Sequence, residues 1–65
     1  MEEKKRSVLI VDDEFRIGML IKKLIHWSEL NMECMAVLDD GEKAVQMVHE
    51  KNPDIVITDI RMPRV

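Results

Sequence analysis

Cysteine is nearly absent: Cys34 stands alone in 65 residues, so no intramolecular disulfide exists. Glycine is almost as scarce. Only Gly18 and Gly41 occur, and neither belongs to a glycine-rich strand-to-helix turn, which argues against the dinucleotide and P-loop phosphate cradles. No long uncharged apolar run and no signal-peptide pattern follows the charged start Met1 to Arg6, so neither a membrane span nor a secretory leader is expected, and the cytoplasm is the default compartment. Positive charge is not gathered into a stripe. Ten Lys and Arg are scattered among thirteen Asp and Glu, giving a net charge of -3 and no electrostatic footprint for direct nucleic-acid contact.

What is present is a composition of 46% hydrophobic and 35% charged residues, that of one globular unit. A chain this short buries only about 60% of its unfolded surface, so each buried side chain weighs heavily in its stability. Residues 1–6 read as a solvated tail, and residues 7–65 as the folded part.

The apolar run Val8-Leu9-Ile10-Val11 is short, β-branched and stopped by acids, as in a strand buried on both faces. Ile17, Leu20, Ile21, Leu24 and Ile25 then recur at helical spacing, with Arg16, Lys22 and Lys23 opposite, predicting an amphipathic helix of about 14 residues capped by Asp13 or a neighbour. Trp27 is expected to anchor the end of that helix, and Asn31 is the best residue for a left-handed turn after it. Met32 to Leu38 reads as an edge strand. Asp39 and Glu42 have capping-box spacing before a helix with Ala44, Val45 and Val48 inward. Pro53 ends this helix and biases Asn52 toward extended geometry, and Ile55-Val56-Ile57-Thr58 forms a third strand. The order βαβαβ implies an α/β parallel sheet with right-handed crossovers.

In such sheets functional groups gather beyond the carboxyl ends of strands, near the point where strand order reverses. With strand order 2-1-3, the first strand runs into Asp12-Asp13 and its neighbour into Asp59. Three converging carboxylates repel unless a cation neutralises them, and an all-oxygen cluster suits a hard ion such as Mg²⁺. A carboxylate is also a competent nucleophile toward phosphorus, and Asp59 is the candidate. The Arg61 backbone carbonyl is placed to complete the ion's shell, and Met62-Pro63 fixes the turn after it. Taken singly, Asp12-Asp13 fits a pair of helix caps and Asp59 a turn residue. His26, His49 and Cys34 are read as rim or packing residues rather than ligands.

The junction Val8-Leu9-Ile10-Val11-Asp12-Asp13-Glu14, the helix start Asp40-Gly41-Glu42-Lys43-Ala44 and the stretch Pro53-Asp54-Ile55-Val56-Ile57-Thr58-Asp59-Ile60-Arg61-Met62-Pro63 strongly resemble the receiver domain of bacterial two-component response regulators. The resemblance implies the N-terminal half of a flavodoxin-like doubly wound sheet. It further implies a signalling module rather than an enzyme, with Asp13 a direct Mg²⁺ ligand, Asp12 acting through a bound water, the Arg61 carbonyl ligating, and Asp59 phosphorylated by a histidine kinase. Whole receivers continue with a second half that supplies a hydroxyl residue and a lysine to read the phosphate. The stretch Trp27 to Met32 resembles receivers joined to AraC-type DNA-binding domains, so DNA contact and transcriptional control would belong to a separate effector domain.

Two rivals remain from the residues themselves. An aspartyl phosphatase or phosphotransferase would need a second acid two residues after its nucleophile, where Arg61 stands. A receiver-like interaction module that is never phosphorylated is the live alternative. An open apolar edge on the third strand predicts, in addition, a homo-oligomer through that edge.

Overall fold

The computed structural model describes residues 4–58. Five elements follow in order: β1 (Arg6–Val11), α1 (Phe15–Leu24), β2 (Met32–Leu38), α2 (Gly41–Lys51) and β3 (Ile55–Thr58). The three strands form one parallel sheet in the order β2-β1-β3, the α/β arrangement expected from the alternating pattern. β1 begins two residues earlier than its apolar run, at Arg6, which therefore belongs to the strand and not to the tail.

β1 is central because its residues tolerate burial on both faces. Val8, Leu9 and Ile10 are fully buried and Val11 is 1% exposed. Burying each such side chain contributes about 1.5–3 kcal/mol, so this tetrapeptide is the main apolar contribution in a small chain. Its alternating faces receive one helix each. Leu9 and Val11 pack with Ala44 of α2, joined by Met35, Ala36, Leu38 and Met47, whereas Ile10 and Val37 lie under Gly18 of α1. Among the described residues both helices contact β1 and β2, and neither contacts β3.

The edge strand β2 carries a bulge: Val8 pairs with Cys34 but Leu9 pairs with Ala36, leaving Met35 as the extra residue. β3 pairs with β1 without irregularity, from Val8↔Ile55 to Val11↔Thr58. At the amino ends of these two strands Asp54 and Ser7 bond reciprocally. The Asp54 carboxylate accepts from the Ser7 backbone N–H at 2.8 Å, and the Asp54 backbone N–H donates to the Ser7 carbonyl at 3.0 Å.

Several local expectations are corrected. α1 has ten residues rather than about 14, because Ile25 turns extended (φ -81°, ψ 133°) and the Trp27 indole N–H donates to the Lys22 carbonyl at 2.9 Å, satisfying an end carbonyl. Trp27 thus anchors the helix end as expected, and Asn31 adopts the left-handed conformation (φ 55°). The N-cap place of α1 is taken by Glu14, the neighbour of Asp13, and its side chain makes no cap hydrogen bond. For α2 the cap is Asp40, not Asp39: its carboxylate accepts from the Glu42 N–H at 2.9 Å. The inner face of α2 is Ala44 with Met47, while Val45 and Val48 are exposed. Asn52, expected to be extended before Pro53, is left-handed (φ 48°, ψ 62°), which turns the chain at once after the last helical residue.

Candidate functional site

The chemistry-bearing residues sit at the carboxyl edge of the sheet, beyond Val11. Asp12 extends the ladder by one step, its N–H donating to the Leu38 carbonyl at 2.9 Å. Its own Oδ1 accepts from the Glu14 N–H, also at 2.9 Å, closing an Asx turn that starts α1. The backbone and side chain of Asp12 are therefore both fixed. Asp12 is 6% exposed and is the only buried charged residue among those described, while Asp13 beside it is exposed. One carboxylate is withdrawn from water and the next faces it.

Burying a carboxylate is costly unless a partner compensates its charge. The Glu14 N–H is a partial compensation, and the nearby amino end of α1 adds the favourable end of a helix dipole. A hard cation held by oxygen donors would complete it, so the residues present fit such an ion. Among the described residues, no group of three or more His, Cys, Asp or Glu is placed to hold a metal. Asp59 and Arg61, the other two candidates, lie outside the described residues.

The strand register bears on where they join the chain. Val11 pairs with Thr58, so Asp12 and Asp59 are the residues that directly follow one cross-strand pair. Thr58 Oγ1 is itself buried and has no hydrogen-bond partner among the described residues. Paired residues of a parallel ladder share a face, which puts Thr58 on the Val11 side, toward α2, and away from Asp12, whose Cβ lies under α1. The hydroxyl thus faces away from Asp12.

Concavity and chemistry do not coincide. A groove of about 520 Å³ runs along the outer face of α1, lined by Arg16, Met19, Leu20, Lys22, Lys23 and Trp27, and contains none of the acids. Nearer the acidic junction two apolar side chains stand exposed among charged neighbours: Phe15 and Ile17 are 47% and 43% exposed. Two residues of consequence were not signalled by sequence reasoning. Asp54 bonds a partner 47 positions away, which no local pattern discloses. Gly18, which the sequence offered only as a failed phosphate loop, is the contact point of α1 with the sheet.

Comparison with known proteins gives a consistent result. The model of the family described as response regulator receiver domain matches residues 8–65. An uncharacterized response regulatory protein of Staphylococcus epidermidis is 40% identical over 58 residues, 89% of this chain and 23% of that protein. The transcriptional regulatory protein HptR of Staphylococcus aureus is 39% identical over 58 residues, with the same shares of each chain. The match covers 23% of either relative, so the whole activity of those proteins does not transfer with the similarity.

Proposed function

The chain belongs to the response regulator receiver family, and on that premise we propose that it is the phosphoacceptor part of a two-component signalling protein, with Asp59 as the acceptor. A carboxylate oxygen of Asp59 attacks phosphorus of a phosphohistidine on a histidine kinase. The new bond is O–P, the N–P bond breaks, and the histidine nitrogen keeps the electron pair. Asp12, Asp13 and Asp59, with the Arg61 backbone carbonyl, would hold Mg²⁺, which when bound neutralises charge on the carboxylates and on the moving phosphoryl oxygens. Asp12 stays fixed through its bonds to Glu14 and Leu38, so that acids need no reordering as charge shifts. The observation that carries this reading is the Val11↔Thr58 pair, which makes buried Asp12 and Asp59 successive to the same step of the sheet.

The module modifies itself and is read as a signalling part rather than an enzyme. Among the described residues no helix is long and apolar enough to cross a membrane, and a kinase donor and the lone thiol Cys34 suit the cytoplasm. The similarity to the transcriptional regulatory protein of S. aureus supports a parent protein that regulates transcription, with DNA bound by an effector domain, of AraC type on the sequence resemblance, and not by these residues. The outer edge of β3, with Val56 41% exposed, supports self-association. Exposed Phe15 and Ile17 favour one second reading, a partner-binding module that is never phosphorylated.

Intact-mass spectrometry after incubation with Mg²⁺ and acetyl phosphate tests the proposal, with Asp59→Asn alongside. One phosphoryl adduct, lost in the variant, is expected. An adduct that persists in Asp59→Asn removes Asp59 as acceptor, and no adduct on the wild type favours the partner-binding module.

A further inference from the structure

Gly18 lies in the middle of α1, where glycine is a poor helix former and no turn or positive φ asks for it. Its place is explained by what lies beneath. A Cβ built there would meet Val37 Cγ1 at 2.7 Å, Ile10 Cγ2 at 3.6 Å and Asp12 Cβ at 3.8 Å. The first distance is shorter than carbon atoms tolerate, and Val37 is a β-branched strand residue with little rotamer freedom to retreat. Any larger residue therefore moves α1 outward. α1 is joined to the acidic site by only Asp13 and Glu14, and the Glu14 N–H that fixes the Asp12 carboxylate belongs to its N-cap. Lifting the helix draws that N–H away from Asp12.

We propose that Gly18 is a positioning residue for the Asp12 carboxylate: by lacking a side chain it lets α1 seat on Ile10, Val37 and Asp12, and so sets the affinity of the acidic site for a divalent cation. The inference rests on the metal-binding reading given above. It adds that a determinant of affinity sits on the helix one turn beyond the bonded Glu14, against the Cβ of Asp12 rather than among the liganding oxygens.

The test measures Mg²⁺ binding by amide NMR, following the Glu14 N–H signal as the ion is added, in the wild type, Gly18→Ala, Val37→Ala and the double variant. Thermal unfolding is recorded for each. Gly18→Ala is expected to weaken Mg²⁺ about tenfold, the lower range for loss of a group that orients a ligand, and to shift the Glu14 signal before any ion is present. Removing Cγ1 by Val37→Ala makes room for the new methyl, so the double variant recovers wild-type Mg²⁺ affinity, although Val37→Ala on its own lowers the melting temperature. That split separates positioning from packing. If Mg²⁺ affinity in the four proteins merely follows their melting temperatures, or if Gly18→Ala binds as tightly as wild type, Gly18 has no positioning role and the metal reading survives. If the wild type itself shows no saturable Mg²⁺ response at Glu14, the metal reading fails and takes this inference with it.

Discussion

The two flanks of β1 are built differently. On the β2 side the strand is covered by both helices, and the edge beyond it is interrupted by the Met35 bulge and carries exposed Glu33, devices that discourage pairing with another chain. On the β3 side the ladder is regular and four residues long, no helix reaches it among the described residues, and Val56 is open to solvent. What holds β3 is its pairing with β1 and the Ser7–Asp54 bonds at the amino end. The chain thus concentrates packing on one flank and, if Asp59 is the acceptor, chemistry at the tip of the other. A strand free of helix contacts is easier to shift, and segments that switch are drawn from the weakly held parts of a fold.

This contrast is open to direct attack. The largest effect is expected from Leu9→Ala, which empties a fully buried position shared by both flanks. A cost of about 2–5 kcal/mol is expected, and urea unfolding followed by circular dichroism should show both flanks lost together. Retention of the β1–β2 half alone would mean the two flanks are independent units. A smaller effect, about 1.5 kcal/mol, is expected from Asp54→Ala, which deletes a carboxylate acceptor from an exposed site. Hydrogen exchange should then quicken at Ile55–Thr58 while Met32–Leu38 keeps its protection; equal quickening on both strands would contradict a β3 held by the latch. The smallest change in stability, within about 0.5 kcal/mol, is expected from Val56→Lys at an exposed position. Its readout is sedimentation: if the proposed β3 edge pairs two chains, the wild type sediments as an oligomer and the charged edge shifts it toward monomer, whereas a wild type that is already a compact monomer removes the β3 interface.

Much of the fold was legible because its signals are local. The β1 run, the stop at Asp12-Asp13, the edge strand at Met32 to Leu38 and the left-handed Asn31 each follow from a few adjacent residues. What escaped depends on phase or distance. Of the consecutive acids Asp39 and Asp40, the first has the capping-box spacing to Glu42, yet the second takes the cap, its carboxylate accepting from the Glu42 N–H, a choice set by backbone geometry that the spacing does not disclose. The rotation of α2 is set by the sheet beneath it, which favours flexible Met47 over Val45 and Val48. Proline at 53 indicated an extended Asn52, yet a tight reversal into β3 required the left-handed turn instead. In the site, the acids that end β1 follow from the pattern of the sequence, whereas the burial of Asp12, the Asx turn to Glu14 and the seat at Gly18 needed three-dimensional neighbours.

The central position of β1 has a consequence in time. The most apolar segment is made before both of its neighbours in the sheet, the second of them ending 47 residues beyond Val11 at Thr58. Val8 to Val11 must therefore wait, unpaired on one side or both, through most of the synthesis of these elements. When β3 does close against it, the second edge of β1 is covered at last, so the central strand is shielded from pairing with another chain no earlier than β3 arrives.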